Sequence, residues 1–215
     1  MGNSLKNKGS KYWIQKCIKD PELKLLIDKR LKTELEWISP SDKDSNEHEL
    51  RTMHKLFGLG VDEINEFFSF WPKRQPQWDG IAIDANNILY LFEAKAHPSE
   101  LRSFCRASGQ NRKMISDSML QIHDEYYPQG DYSLWMNVYY QIGNRITFFH
   151  KLDRTRFPKI KKVVLVFLSF ANDYTNKPTS ILRMETSFNN AWEQLTGISK
   201  SESSIKHLLI DVKDI

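Results

Sequence analysis

Residues 78–95 read WDGIAIDANNILYLFEAK, and this stretch predicts a β-hairpin at the centre of the fold. Residues 80–84 and 88–94 are rich in the β-branched and aromatic side chains that favour strands. The residues between them, Ala85-Asn86-Asn87, are typical of a turn. The second strand ends in Glu93-Ala94-Lys95, where a buried strand would be expected to continue with apolar residues.

The charged end of this strand faces the start of its neighbour in the predicted hairpin. Side chains alternate between the two faces of a strand, so Glu93 and Lys95 share one face. If the turn comprises residues 85–87, the register brings Asp79 opposite Glu93. Opposed Cβ atoms in an antiparallel pair lie ~4.5–5.5 Å apart. Two carboxylates this close repel each other unless a proton or a cation lies between them. A two-residue turn would shift the pairing by one residue, and the sequence leaves that alternative open.

Two facing carboxylates and an amine are the side chains that metal-assisted hydrolysis of a phosphodiester requires. A hard divalent cation prefers oxygen ligands, so Asp79 and Glu93 are candidate metal ligands. The Lys95 ammonium can polarise a water molecule or stabilise negative charge that develops on a phosphate. The alternative is structural, because Glu and Lys also end strands as solubilising residues and Asp before Gly also starts turns.

The spacing of Asp79 and Glu93-Ala94-Lys95 resembles the PD-(D/E)XK, or restriction-endonuclease-like, nuclease superfamily. The segments WPKRQPQWDG and LFEAKAHPSEL look like a group of bacterial proteins of that superfamily. The close match covers residues 71–101, and a weaker topological match runs from residue 47 to the C-terminus. One departure is Trp78, which stands where the motif has proline.

The resemblance implies a fold, an activity and a set of site residues. The fold is α/β, with a mixed sheet flanked by helices in the order α-β-β-β-α-β. The activity is cleavage of nucleic acid with Mg²⁺, for which Mn²⁺ is an alternative. Asp79 and Glu93 would be the metal ligands, and Lys95 would be the catalytic lysine.

The rest of the chain predicts one α/β domain with helices before it. Residues 1–46 are predicted as an N-terminal helical extension, with a helical pattern over residues 12–37 that breaks near Pro21, and residues 47–215 as the nuclease-like domain. Further helices are predicted at 47–57, 61–71, 110–126, 134–152 and 188–195, and strands at 163–168 and 207–212. The N-terminal helices either mediate a homodimer or cover the sheet, so the oligomeric state stays open.

Two of the predicted helices carry candidate accessory residues. On helix 61–71, Glu63 lies nearer the apolar boundary than Glu66, so Glu63 is the preferred additional catalytic acid. On helix 134–152, Gln141 and Arg145 lie one turn apart beside the apolar face. We assign Gln141 to catalysis and Arg145 to nucleic-acid binding. The alternative for each residue is ordinary polarity at a helix surface.

The charge of the chain is compatible with a polyanionic partner. The formal net charge is +4 and the sequence pI is about 8.9. Lys73, Arg74 and Arg102 lie near the predicted site in the sequence, where they would neutralise backbone phosphates. Trp71 and Trp78 either stack on bases or belong to the core. DNA is the preferred nucleic acid.

Several other function classes lack their sequence signatures. The chain has no GxSxG elbow, no glycine-rich phosphate loop and no HExxH motif. It has no apolar stretch near the ~20 residues that span a bilayer, and its two cysteines fit a reducing compartment. A cytoplasmic, Mg²⁺-dependent nuclease without a membrane partner is therefore predicted. The alternative is a catalytically inactive module of the same fold that binds nucleic acid or protein.

Overall fold

The computed structural model describes residues 8–41, 46–199 and 201–214. In these residues the helices are α1 (Gly9–Lys19), α2 (Pro21–Leu31), α3 (His54–Phe57), α4 (Val61–Phe67), α5 (Gly109–Tyr126), α6 (Tyr132–Asn137), α7 (Tyr140–Asp153) and α8 (Ile181–Thr196). The strands are β1 (Leu35–Ser39), β2 (Gly80–Asp84), β3 (Ile88–Lys95), β4 (Lys162–Ala171) and β5 (Ile205–Asp211).

The strands form one mixed sheet in the order β1-β2-β3-β4-β5. Strands β1, β2 and β3 pair antiparallel, whereas β4 runs parallel to both β3 and β5. Helices cover both faces, as the continuous apolar run of β4 predicts. The coarser part of the predicted fold class, a mixed sheet flanked by helices, is therefore confirmed.

The β2–β3 hairpin has the predicted register. Ile81 lies opposite Leu91, which fits a turn of residues 85–87. The turn is stabilised by Asp84, whose Oδ1 accepts hydrogen bonds from the backbone N–H groups of Asn86 and Ile88 at 2.8 and 2.9 Å. This local network fixes the pairing along the whole hairpin, since one register follows from one turn.

The two faces of β3 belong to different cores. Leu89 and Leu91 lie in the core shared with α5, α7 and α8. Tyr90 and Phe92 lie in the core shared with α1 and α2. Because Glu93 continues the alternation of the leucines, its side chain lies on the α7 side of the sheet.

The helical pattern predicted over residues 12–37 breaks before Pro21, as expected, but the prediction that it extends to residue 37 was wrong. Helix α2 ends at Leu31, because Lys32 adopts a left-handed conformation with φ 61°. Residues 35–39 then form β1, in which Trp37 stacks on Phe92 of β3 with ring centroids 4.7 Å apart. The predicted extension therefore contributes a strand to the central sheet.

Helices α1 and α2 pack on the sheet, as one of the two alternatives for them predicts, and the oligomeric state stays open. The α1 residue Trp13 is fully buried and stacks on Phe170 of β4 at 6.0 Å. Residues 1–7 and 42–45 of the predicted extension lie outside the described residues, and the boundary after residue 46 stays a prediction.

The predicted helix over residues 134–152 is divided into α6 and α7. The division arises because an extended segment inserts against it: the Ser103 N–H donates to Val138 O at 2.8 Å, and the Tyr140 N–H donates to Ser103 O at 3.1 Å. These contacts end one helix and begin the next. Gln141 consequently lies in the first turn of α7, where its own N–H donates to the Ser103 hydroxyl at 2.9 Å.

Three other helix boundaries differ from the predictions. Helix α8 begins at Ile181 rather than at residue 188, after a Ser180 side chain that caps it. Only the last four residues of the predicted helix 47–57 are α-helical, and the predicted helix 61–71 becomes a 3₁₀ turn after Phe67. Over the described part of the chain, no helix is both long enough and apolar enough to cross a bilayer.

Candidate active site

A cleft of about 1130 Å³ opens on the α7 side of the sheet. Its walls come from the segment before β2, from residues 102–107, and from α5 and α7. The lining residues that matter for chemistry are Glu47, Arg74, Asp79, Arg102, Phe104, Arg106, Gln141 and Arg145. Glu93 and Lys95 are buried behind this wall, with exposed fractions of 1% and 5%.

The hairpin register carries Asp79 to the end of β3. The backbone N–H of Ala94 donates to Asp79 Oδ2 at 2.7 Å. This bond continues the hairpin beyond its last backbone pair, Gly80 opposite Phe92. The strand ends therefore converge, as the sequence predicts, and Asp79 Oδ1 accepts no hydrogen bond from any described residue.

Glu93 is held between two cations. Lys95 Nζ donates to Glu93 Oε1. Arg145 Nε donates to Glu93 Oε2 at 2.6 Å, and Arg145 Nη2 forms an ion pair with the same oxygen at 2.6 Å. Burial alone would raise the pKa of Glu93, but Arg145 and Lys95 together hold that pKa below its ordinary value. The side chain is therefore a carboxylate at neutral pH.

Asp79 has the opposite electrostatic character. Burial, and then the negative charge of Glu93, raise the pKa of Asp79 to about 7, although Lys95 and the Ala94 N–H act against the rise. A carboxyl group with this pKa exchanges its proton near neutral pH. Burial and the nearby carboxylate of Glu93 both disfavour the charged form of Asp79.

Lys95 remains an ammonium group in this environment. Burial would lower its pKa, but Glu93 and Asp79 outweigh burial and raise the pKa above its ordinary value. Gln141 Oε1 accepts a further hydrogen bond from Lys95 Nζ at 3.3 Å. The structure thus brings Gln141 to the predicted catalytic lysine.

Arg145 is not available to contact a phosphate directly, because its side chain is 3% exposed and fully engaged. Besides Glu93, it donates to the carbonyl of Gln77 at 2.6 Å and lies over the Trp78 ring, 4.5 Å from the centroid. The structure places the guanidinium of Arg145 beside the carboxylate of Glu93, and its role in nucleic-acid binding stays a prediction.

Glu63 is not brought to the cleft. The side chain is exposed, and its Oε2 accepts a hydrogen bond from the Gly60 N–H at 2.6 Å, which caps the N-terminus of α4. The sequence carries the signal for this: a glutamate at the third helical position belongs to the capping box. Besides Asp79, the cleft wall carries the acid Glu47, which pairs with Lys11 at 2.8 Å.

The predicted basic residues divide into two groups. Arg74 and Arg102 are exposed and line the cleft, whereas Lys73 is exposed away from its wall. Among the described residues, the side chains of Arg74 and Arg102 form no ion pair. Trp71 and Trp78 are buried in the core, so neither ring is accessible to a base.

Comparison with protein-family models, with curated proteins and with solved structures finds no match for this chain. What the site can do must therefore be argued from its geometry and chemistry.

The residues of this site fit a magnesium ion better than a zinc ion. In the described residues, no group of three or more His, Cys, Asp or Glu side chains is placed to hold a metal. Mg²⁺ is commonly bound by one or two carboxylates, with waters and substrate phosphates completing its shell. Asp79 offers an uncommitted oxygen, and Glu93 offers an oxygen if Lys95 or Arg145 shifts away from it.

Proposed function

We propose that this protein is a metal-dependent nuclease of the restriction-endonuclease-like class that hydrolyses phosphodiester bonds in nucleic acid, preferably DNA. The observation that carries the proposal is the convergence of Asp79, Glu93 and Lys95 at the ends of adjacent strands, beside a cleft lined with arginines. Sequence pattern and contact geometry select the same three side chains.

Asp79 and Glu93 would hold Mg²⁺ or Mn²⁺ through their carboxylate oxygens. A bound divalent cation supplies Lewis-acid stabilisation of phosphate oxygens and makes an attacking water more acidic. Arg145 keeps Glu93 ionised and oriented from the α7 side. The neighbouring carboxylates thus form a site whose repulsion is relieved by a cation.

Lys95 acts as a hydrogen-bond donor and a positive charge, because its raised pKa keeps it protonated. Its ammonium would orient the attacking water or stabilise the charge that develops on the phosphate. Gln141 positions the ammonium through its 3.3 Å contact and contributes no charge of its own.

The cleft wall has the electrostatics that a phosphate backbone requires. Arg74, Arg102 and Arg106 are exposed on it and form no ion pair with a described residue. Unpaired arginines gain from neutralising phosphates and from the release of counterions. A cytoplasmic location is part of the proposal, since Cys17 and Cys105 are buried and unbridged.

The decisive experiment compares cleavage of plasmid and single-stranded DNA with Mg²⁺, with Mn²⁺ and with chelator. We expect metal-dependent cleavage that is lost in Asp79→Ala and in Lys95→Ala. Lys113→Ala is the matched control, because Lys113 is an exposed lysine whose partner Asp117 lies at 2.5 Å on the same helix. Full activity of Lys95→Ala, with an unchanged circular-dichroism spectrum, would reject the assignment.

A second candidate is a nucleic-acid-binding or protein-interaction module of the same fold that does not cut. The observation in its favour is that both oxygens of Glu93 already have cationic partners, Lys95 and Arg145. Such a cluster can be a purely structural ion-pair network. Retention of DNA without cleavage at any divalent cation concentration would support this candidate and reject the enzyme.

A further inference from the structure

An extended segment on the cleft rim, residues 102–107, presents an alternating set of side chains. We call this segment the strap. Ser103 and Cys105 point inward and are partly or fully buried, whereas Arg102, Phe104 and Arg106 are exposed. The Phe104 ring is 57% exposed, although its neighbours in the chain pack against the protein. A single aromatic ring thus lies between two guanidinium groups on the rim of the cleft.

The strap is held rigidly along one edge. The Ser103 N–H donates to Val138 O and the Cys105 N–H donates to Met136 O, both at 2.8 Å. Arg112 Nη1 donates to the carbonyl of Cys105 at 3.1 Å. Because the backbone is fixed, the exposed Phe104 is preorganised, and little conformational entropy would be lost when a ligand covers it.

The exposure of Phe104 has no explanation in the packing of the chain. Within the described ranges, its one ring contact is with the Arg106 guanidinium of the same strap, 5.2 Å from the ring centroid. Neither Arg106 nor Arg102 forms an ion pair with a described residue. Alternate residues of an extended chain are about 6.6–6.8 Å apart, so the ring and both cations can face one bound strand.

We propose that the strap binds an unpaired nucleic-acid strand, with a base stacked on Phe104 and the flanking phosphates at Arg102 and Arg106. This inference rests on the proposed nuclease function and names its substrate class: single-stranded nucleic acid, or the unpaired part of a duplex. The bases of an intact duplex are already stacked on each other, whereas an unpaired base offers its face to an aromatic ring.

The position of the strap supports delivery of that strand to the catalytic groups. Ser103 on the strap receives the N–H of Gln141, and Gln141 contacts Lys95. The strap and Asp79 line the same cleft. A strand bound along the strap would therefore extend through the cleft to the site of the proposed hydrolysis.

Binding can be measured without cleavage by fluorescence anisotropy of the full chain in chelator. The probes are labelled strands of about 12 nucleotides, one of DNA and one of RNA, and a duplex of equal length. We expect the single strands to bind more tightly than the duplex. Phe104→Ala should weaken single-strand binding by about tenfold or more, and Phe104→Trp should retain it. Arg102→Ala and Arg106→Ala should each reduce the slope of log affinity against log salt concentration by about one, because each removes one phosphate contact.

Matched controls lie on the opposite side of the sheet. Tyr174→Leu removes an exposed aromatic ring that contacts Trp13 of α1, and Arg30→Ala removes an exposed arginine of α2. Neither change should alter binding. The relative affinities for the DNA and RNA probes show whether the strap prefers deoxyribose or ribose.

Two outcomes would overturn the inference: duplex binding at least as tight as single-strand binding, or Phe104→Leu binding as tightly as the wild type. Failure of the proposed nuclease is a separate result. Phe104-dependent binding without metal-dependent cleavage would support strand binding by the strap and reject the proposed nuclease activity. If the protein cleaves intact duplex and Phe104→Ala leaves this cleavage unchanged, the nuclease activity is supported and strand binding by the strap is rejected.

Discussion

Arg145 Nε donates a 2.6 Å hydrogen bond to Glu93 Oε2, and Arg145 Nη2 forms an ion pair with the same oxygen. The helix that carries Arg145 begins 45 residues after the end of the strand that carries Glu93. The guanidinium neutralises a carboxylate that is 1% exposed. The pair therefore links the structural stability of the sheet to the state of the proposed metal site.

Removal of Arg145 should destabilise the protein in a manner that Mg²⁺ partly reverses. Arg145→Met leaves Glu93 with Lys95 as its only cation and should cost about 3 kcal/mol, because a buried charge loses a partner. A divalent cation can replace the lost charge, so added Mg²⁺ should raise the Tm of the variant more than that of the wild type. Thermal unfolding with and without Mg²⁺ measures both effects.

The control is Arg154→Met, since Arg154 forms a solvent-exposed pair with Glu125 at 3.2 Å. That variant should unfold within about 1 kcal/mol of the wild type and should show no additional response to Mg²⁺. An Arg145→Met protein that is indifferent to Mg²⁺ would contradict a cation site at Glu93.

Asp79 should make the protein less stable as the pH rises towards 7. Its pKa is raised from 3.8 to about 7 in the folded state, so the folded chain retains a proton that the unfolded chain releases near pH 4. Stability therefore falls between these two pKa values. Asp79→Asn should be more stable than the wild type by roughly 1–2 kcal/mol at about pH 8, and this difference should vanish below about pH 4.

Urea unfolding across this pH range tests the sign. Asp117→Asn, at an exposed position of α5, is the matched control. At about pH 8, Mg²⁺ should stabilise the wild type and leave Asp79→Asn unchanged, because the amide loses the negative charge that the cation needs. If the wild type becomes more stable relative to Asp79→Asn as the pH rises from about 4 to about 8, the raised pKa of Asp79 is refuted.

Cleavage should depend on pH through the same carboxyl group. A proton and a divalent cation compete for Asp79, so the rate should rise with pH through about 7 at low Mg²⁺. Higher Mg²⁺ concentrations should move this rise to lower pH. Single-turnover rates at several Mg²⁺ concentrations measure the shift. If the midpoint of the pH–rate profile does not depend on Mg²⁺, Asp79 is not a metal ligand.

Gln141 should affect the rate constant more than the binding of substrate. Gln141→Ala frees Lys95 Nζ from a 3.3 Å contact and should lower kcat about tenfold with little change in KM, as expected of a positioning residue. Gln141→Glu should keep part of the activity, since its carboxylate still accepts from Lys95. Asn137→Ala, on the same cleft wall, is the control. If Gln141→Ala and Asn137→Ala lower kcat equally, the loss reflects damage to the cleft wall rather than loss of the contact that positions Lys95.

Glu63 should matter for stability and not for cleavage. Glu63→Ala removes the cap on the Gly60 N–H and should cost about 0.5–1 kcal/mol in urea unfolding. The cleavage rate of the folded variant should equal that of the wild type. A hundredfold loss of activity in a fully folded Glu63→Ala protein would restore Glu63 to the site.

The hairpin and the residues at its end could be predicted from the amino-acid pattern. The turn of residues 85–87 sets the register, and alternation along β3 then places Glu93 and Lys95 on one face. The buried character of β4 follows from its uninterrupted apolar run. These features are governed by neighbours in the chain, so local pattern is sufficient to predict them.

The partners of these residues could not be predicted from the amino-acid pattern. The engagement of Arg145 by Glu93, the break between α6 and α7, and the exposure of Phe104 all depend on segments that are distant in the sequence. Ser103 ends a helix 35 residues away through backbone hydrogen bonds, which leave no trace in side-chain periodicity. Local patterns specify which face of an element is apolar, but the contacts between elements are chosen by the packing of the whole chain.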